Sequence, residues 1–251
     1  MNSPNKILLV TGASRGIGAA TAVLAAQRGW DVAINYARDA RAAEAVAEQV
    51  RGFGRRALVV QADVADEAQV LAMFAAVDDA FGALHGLVNN AGVIDVPARI
   101  DQMDVARLSR MFAINLTGSF VCAREAVRRM STKNGGSGGA IVNLSSAAAK
   151  LSAAGQYVDY AAAKAGIDIF TLGLAREVAA EGIRVNAVRP GIIDTDIHAS
   201  GGIPDRAAQM APLVPMQRAG SAHEVAQAIV WLLSDEAGYS TGAVLDVTGG
   251  R

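Results

Sequence analysis

Tyr160 and Lys164 stand four residues apart in a stretch whose apolar residues recur at helical spacing, so a phenol and an ammonium share one helix face. A free phenol ionises near pH 10, too high for easy proton exchange at neutral pH. A neighbouring cation favours the phenolate and lowers that value, which suits general acid–base work on an alcohol or carbonyl. Tyr157 lies close by, but its own i+4 residue is Ala161, so it lacks the ammonium and reads as a pocket wall or packing residue. The competing reading of the pair is an ordinary amphipathic helix bearing an exposed tyrosine.

A second chemistry-bearing segment lies near the start, Thr11-Gly12-Ala13-Ser14-Arg15-Gly16-Ile17-Gly18, directly after the apolar run Ile7–Val10. Glycines between a strand and a helix let backbone approach a pyrophosphate, and the helix N-terminus offers free N–H groups and partial positive charge. The spacing is Gly-x-x-x-Gly-x-Gly, not the Gly-x-Gly-x-x-Gly of the long-chain dinucleotide fingerprint. A tight strand–helix turn that simply needs glycine is the alternative. Charge speaks to the choice of cofactor. A carboxylate at the end of the second strand would bind a ribose 2′-OH and repel a 2′-phosphate. Here that end reads Asn35-Tyr36-Ala37-Arg38, with no carboxylate until Asp39, while Arg15 sits inside the glycine turn. Asn35 and Tyr36 are therefore assigned to the cofactor, and NADP(H) is expected over NAD(H). Arg15 and Arg38 can also be read as solvated surface charges.

These groups need elements to hold them. Short apolar runs predict strands at Lys6–Thr11, Asp31–Tyr36, Ala57–Ala62, His85–Asn89, Ala140–Leu144, Arg184–Arg189 and Ala243–Val247. Helical periodicity fills the gaps at Arg15–Arg28, Ala40–Phe53, Glu67–Phe81, Ala106–Met130, Tyr157–Ala180 and Ala222–Ser234. The alternation predicts an α/β fold: a single-domain, Rossmann-type, doubly wound parallel sheet of about seven strands with helices on both faces. The run Gly135–Gly139 is too short for a domain boundary. Ligands in such sheets bind outside the carboxyl ends of the strands. That edge receives Ser145-Ser146 and Asn89-Asn90-Ala91-Gly92. Asn115 is a polar residue inside an apolar helical stretch; buried, it needs partners, and packing and function are both open to it.

The chain of 251 residues is 52% hydrophobic and 19% charged, as buried parallel strands require. A net charge of −1 argues against a nucleic-acid partner. The one cysteine, Cys122, excludes an internal disulfide, fits a reducing compartment and reads as a buried structural thiol. The N-terminal apolar run is too short for a signal peptide, and no run has membrane-spanning length, so a cytoplasmic protein is expected. His85, His198 and His223 are scattered with no paired ligand spacing, so no metal site is expected. His85 and His223 read as structural, whereas His198 falls in a candidate substrate loop.

With these motifs in order, the chain resembles the short-chain dehydrogenase/reductase family over essentially its whole length. The matching residues are Thr11-Gly12-x-x-x-Gly16-x-Gly18, Asp63-Val64, Asn89-Asn90-Ala91-Gly92, Asn115, Ser146, Tyr160-x-x-x-Lys164 and Pro190-Gly191 followed by Thr195. The resemblance implies that Tyr160 is the catalytic acid/base and that Ser146 polarises the substrate oxygen. It implies that Lys164 lowers the phenol pKa and binds the nicotinamide ribose, and that Asn115 holds a water leading from Lys164 to a proton relay. Gly12, Ser14, Arg15, Gly16, Ile17 and Gly18 would cradle the phosphates, and Asp63 and Val64 would flank the adenine. Asn89, Ala91 and Gly92 would line the cofactor cleft; Pro190, Gly191, Ile193 and Thr195 would meet the nicotinamide end. One departure stands out: the family usually places its serine 13 positions before the tyrosine, whereas Ser146 precedes Tyr160 by 14. An extra residue in Gly155-Gln156-Tyr157-Val158-Asp159 accounts for this, leaving Ser146 favoured and Ser145 as the other choice.

Substrate information is thinner. The connection from about Asp194 to Arg218 has the length of a lid, and its apolar members Ile197, Met210, Leu213, Val214 and Met216 would cover a substrate. Packing on the domain edge is the competing reading. No sequence cluster of arginine or lysine marks an anionic substrate, so a neutral alcohol, ketone, aldehyde or sugar is expected. Within the family the chain is similar to 3-oxoacyl-carrier-protein reductases, for which Arg176 matches one basic position, and to sugar dehydrogenases. An NADP-binding sensor or scaffold without turnover is the reading from a different class. The family likeness implies a homotetramer, with the tail Thr248-Gly249-Gly250-Arg251 resembling one that packs at such interfaces.

Overall fold

The computed structural model describes residues 6–197 and 201–251; His198 lies outside them. Seven parallel strands form the central sheet: β1 (Ile7–Val10), β2 (Asp31–Tyr36), β3 (Ala57–Gln61), β4 (Gly86–Asn89), β5 (Gly139–Leu144), β6 (Ile183–Pro190) and β9 (Val244–Val247). Their order is β3-β2-β1-β4-β5-β6-β9. Alternating side chains along a strand serve opposite faces. In β1, Leu8 and Val10 join one apolar core and Ile7 and Leu9 the other. The first core is closed by α1 (Gly16–Gln27), α2 (Ala40–Gly52) and α9 (Ala222–Leu233); the second by α3 (Glu67–Phe81), α5 (Gly118–Met130) and α7 (Val158–Val178). Strands covered on both faces can be apolar throughout, which accounts for Ile-Leu-Leu-Val in β1, all four buried. The chain builds outward from β1 to β3 and then returns to place β4 on the other side of β1. That reversal opens a crevice at the carboxyl ends of β1 and β4, where open α/β sheets bind ligands.

Helix starts follow local chemistry. Asp39, Asp66 and Asp104 each accept a backbone N–H in the first turn of α2, α3 and α4 (Val105–Phe112). Ser221 and Glu224 form a reciprocal capping box on α9.

The helix expected over Ala106–Met130 is interrupted. Between α4 and α5 the backbone widens into a π-helical turn, Ala113–Thr117, centred on Asn115. Hydrophobic periodicity cannot report this, because the interruption serves a buried amide rather than the apolar stripe. A short helix α6 (Ala148–Leu151) escaped the strand-and-helix reading, and a further short one, α8 (Arg206–Met210), lies in the 194–218 connection, whose composition allows a small amphipathic helix. The long connection after β6 is pinned at both ends by a two-stranded parallel ladder, β7 (Ile193–Asp194) with β8 (Gly220–Ser221).

Of the five apolar residues expected to cover a substrate, Ile197 and Met210 line the cleft. Val214 is buried, and a methyl on Gly249 would lie 2.7 Å from its Cγ1, so Val214 seats the C-terminal tail. Leu213 and Met216 face outward, 65% and 59% exposed.

Candidate active site

The carboxyl end of β5 and the first turns of α7 bring three of the expected groups together. The Ser146 side chain stands beside the Tyr160 phenol, and Ser146 Oγ accepts the N–H of Ala148 at 3.1 Å. Ser145 is buried and turns the other way, its Oγ donating to the Lys164 carbonyl at 3.1 Å. Geometry thus selects Ser146 over Ser145. Their separation of 14 residues from serine to tyrosine is absorbed in the turn before α7. There Ser152, Ala153 and Gly155 all adopt left-handed backbone, φ 62°, 48° and 71°.

Lys164 is 4% exposed, and its Nζ donates to the Leu144 carbonyl at 2.7 Å and lies 5.7 Å from the Tyr160 ring centre. Burial lowers its pKa to about 8, against the opposing pull of Asp168. The phenol behaves differently from the sequence-based expectation. Burial pushes the Tyr160 pKa up, and the opposing influence is the nearby Ser146 hydroxyl rather than the ammonium. Lys164 makes its close contact with the β5 carbonyl, while its Nζ lies over the phenol ring.

The glycine turn is braced from inside. Gly12 has φ 62°, and a methyl there would come within 2.9 Å of Ala91 Cα; on Gly18 it would meet Asn90 Nδ2 at 2.5 Å and the Gly12 carbonyl at 2.6 Å. Only glycine lets the turn lie this close to the end of β4. Asn35 was assigned to the cofactor, yet its side chain is buried in the protein. Its Oδ1 accepts Gly12 N–H at 3.1 Å and its Nδ2 donates to the Ala62 carbonyl at 3.0 Å, so it acts as a brace. Tyr36, the next residue, is half-buried. Ser14 is half-buried and Arg15 exposed; Arg15 is the N-cap of α1 and has no side-chain oxygen to accept the first-turn N–H groups. Thr195 approaches from across the crevice, its Cβ and Cγ2 3.5 Å from where a Gly16 methyl would be.

Asn89 and Asn90 divide the work differently from the expectation. Asn89 is 3% exposed and points inward, its Nδ2 donating to Asn143 Oδ1 at 2.9 Å and the Ser119 carbonyl at 3.1 Å. It supports the sheet end behind the cleft, whereas Asn90 lines the cleft and donates to the carbonyls of Thr11 and Gly12 at 2.8 and 2.9 Å. Thr11 Oγ1 accepts from the N–H groups of Asn90 and Ala91, both at 3.0 Å.

Asn115 is fully buried and clamps one backbone residue from both sides. Its Oδ1 accepts Val93 N–H at 3.1 Å and its Nδ2 donates to the Val93 carbonyl at 3.0 Å. Gly92 separates it from the lysine: a methyl there would stand 2.9 Å from Asn115 Oδ1 and 3.7 Å from Lys164 Nζ. Asp63 is exposed at the end of β3, its Oδ1 accepting Ala65 N–H at 3.0 Å, and Val64 beside it is buried. Pro190, Gly191, Ile193 and Thr195 line the same cleft as Ser146, Tyr160 and Lys164.

That cleft encloses about 370 Å³ and runs from Ile17 in the glycine turn to Met210 in α8. An uncapped helix N-terminus, a glycine turn packed against β4, and polar groups leading to a buried lysine suit a nicotinamide dinucleotide, phosphates toward α1. Two residues missed at the sequence level also line it, Arg206 and Arg251. With Lys164 they bring three basic residues from distant positions to one cleft, although the sequence shows no cluster of arginine or lysine. Nothing in local sequence signals this, because the gathering is tertiary.

Away from the cleft, Cys122 is buried and its thiol is pushed up to about 12 by burial, so it is an inert packing group. His85 Nδ1 accepts Ile7 N–H at 3.1 Å, a structural contact, and His223 lies beside Gln227 on α9. Among the described residues no group of three or more His, Cys, Asp or Glu could hold a metal ion, and no helix is long and apolar enough to cross a membrane.

Comparison with known proteins agrees with this geometry. A family model described as enoyl-(acyl carrier protein) reductase matches residues 12–251. The chain is 55% identical to an oxidoreductase of Escherichia coli K12 named YgfF, over 98% of this chain and 99% of that protein. It is 45% identical to cis-4-hydroxycyclohexanecarboxylate dehydrogenase of Sinomonas cyclohexanicum, over 98% of this chain and 96% of the other. A crystal structure of a short-chain dehydrogenase from Burkholderia cenocepacia J2315 in complex with NADP superposes with a TM-score of 0.90 at 35% identity, covering 99% of each chain. Fold, ordered motifs and near-complete coverage converge: the chain belongs to the short-chain dehydrogenase/reductase family of oxidoreductases, which act on alcohol and carbonyl groups.

Proposed function

We propose that the protein interconverts a carbonyl and an alcohol with NADP(H), using Tyr160 as the acid/base. The observation that carries this is that Ser146, Tyr160 and buried Lys164 share one cleft with the glycine turn. The nicotinamide, when bound, supplies and accepts the hydride. Toward the alcohol, Tyr160 gives its proton to the developing alkoxide while the Ser146 hydroxyl holds that oxygen. Toward the carbonyl, the same phenol oxygen takes the proton back. Lys164 holds positive charge beneath the ring below pH of about 8. Asn115 fixes the Val93 backbone next to Gly92, which faces this charge.

NADP(H) is favoured over NAD(H) because the nearest carboxylate to the end of β2 is already committed: Asp39 accepts Ala42 N–H at 2.9 Å as the cap of α2. Arg15 and Arg38 are exposed near the glycine turn and β2, where they suit a 2′-phosphate. The Burkholderia cenocepacia short-chain dehydrogenase in complex with NADP, similar to this chain, supports the same choice.

The whole chain is read as one dinucleotide-binding and catalytic domain, with 194–218 as its substrate segment. Exposed apolar side chains on α5 and α7, among them Phe120, Ile169 and Leu172, support a homotetramer built through those helices. One buried thiol and no other cysteine suit the cytoplasm.

A spectrophotometric NADPH-oxidation screen across ketones, aldehydes, sugars and acyl thioesters tests the activity. Tyr160→Phe is expected to lower kcat at least about 10²-fold with cofactor binding retained; undiminished turnover removes the mechanism. Acyl-carrier-protein reduction is the second reading, but Arg124, Arg128 and Arg129 on α5 are all engaged by Glu67, Glu125 or Asp78. That leaves less basic surface for an acidic carrier. NADPH binding without reduction anywhere in the panel would support the sensor reading instead.

A further inference from the structure

Among the described residues the cleft is lined by three cations and no aspartate or glutamate side chain: Lys164 beside Tyr160, and Arg206 and Arg251 beyond it. Its other walls are largely apolar, with Ile94, Leu151, Ile197 and Met210 among them. Arg206 is held in one posture. Its Nη2 donates to Gln156 Oε1 at 2.9 Å, and its guanidinium lies over the Tyr157 ring, 5.1 Å from the centroid. Both contacts are to uncharged groups, so they orient the guanidinium without neutralising it. Four of its five N–H donors remain for a ligand, in the planar fork that matches a carboxylate.

Resting on the hydride-transfer reading above, we infer that the substrate is a small oxo- or hydroxy-acid, its carboxylate paired with Arg206 and its oxygen-bearing carbon at Tyr160. Spacing sets the size. Tyr157, the N-cap of α7, and Tyr160 in its first turn are three positions apart and line the same cleft. Arg206 lies over the first ring, and Ser146 lines the cleft with the second. The spacer between carboxylate and reacting carbon is therefore short and apolar, matching the walls. A neutral substrate of the same shape would leave the guanidinium desolvated without an anion, which is a penalty against it.

The test uses matched ketones: short-chain oxo-acids from 4-oxopentanoate to 7-oxooctanoate, each assayed with NADPH beside its methyl ester. The expected result is an acid reduced with kcat/KM at least about 10-fold above its ester, the scale of one charged hydrogen-bond pair. Arg206→Met should bring that ratio to near one by raising KM for the acid, and Arg206→Lys should keep part of it; melting curves check that both variants fold. Esters reduced as well as or better than acids would overturn the inference and leave the oxidoreductase reading standing. So would an Arg206→Met variant that keeps the acid preference, or whose loss lies in NADPH affinity. No turnover of acids, esters or the broader carbonyl panel would instead sink the hydride-transfer reading, and this inference with it.

Discussion

Arg107 and Asp159 form a buried ion pair at the residue just before Tyr160. Arg107 Nε meets Asp159 Oδ2 at 2.8 Å and its Nη2 reaches Oδ1 at 3.4 Å, with side chains 10% and 0% exposed. The same guanidinium donates to the Val96 carbonyl at 2.8 Å, and Asp159 Oδ1 also accepts the Tyr160 N–H at 2.9 Å. The first turn of α7 is thereby tied to α4 and to the segment after β4. Asp159 also suits a helix N-terminus on electrostatic grounds.

Removing one member strands a buried charge. Asp159→Ala is expected to cost about 3–5 kcal/mol in urea unfolding, whereas Arg107→Met combined with Asp159→Leu regains much of that stability. If the pair positions Tyr160, the double variant still shows a lowered kcat with NADPH affinity near normal. Full recovery of kcat in the double variant would reduce the pair to a packing role.

Lys164 makes stability depend on pH. Its pKa falls from 10.5 to about 8 on folding, so between those values the unfolded chain holds the extra proton. Stability from this group therefore rises with pH across that window and is lost as pH falls through 8, over a span of about 3 kcal/mol. Lys164→Met should flatten the difference when urea midpoints are compared at pH 7 and pH 10, and should abolish turnover.

The glycine turn is intolerant of a single methyl. In Gly18→Ala the new Cβ meets the Gly12 carbonyl and the Asn90 amide, so the turn must shift away from β4. The expected loss is about 1–3 kcal/mol in stability, and NADPH affinity should fall further than stability alone explains. Isothermal titration beside a melting curve separates the two.

Cofactor choice is checked by kcat/KM for NADPH and NADH. NADPH should win by about 10-fold or more, and Arg15→Ala should shrink that margin by weakening NADPH alone. An unaltered ratio in the variant would move the 2′-phosphate contact to Arg38.

Much of this protein is legible in the chain. All seven main strands lie within a residue or so of the runs read from hydrophobicity, and Glu67–Phe81 matches at both ends. The long helix through Asn115 was not legible as broken, because a π turn follows from what a buried amide must bond with. Asn35 and Asn89 sit at the strand ends where the sequence placed them, yet their amides turn into the protein as braces. Spacing reports which element carries a side chain and leaves its direction to the neighbours.

The chain alone determined the parallel sheet, the glycine turn and the Tyr160–Lys164 pair, because strand burial, turn geometry and helix pitch are local consequences of residue type and spacing. Only the folded structure decided that Ser146 rather than Ser145 meets the phenol, that Lys164 bonds a β5 carbonyl, and that Arg206 and Arg251 share the cleft. Those outcomes depend on groups distant in sequence competing for one space, where burial and available partners set both direction and charge.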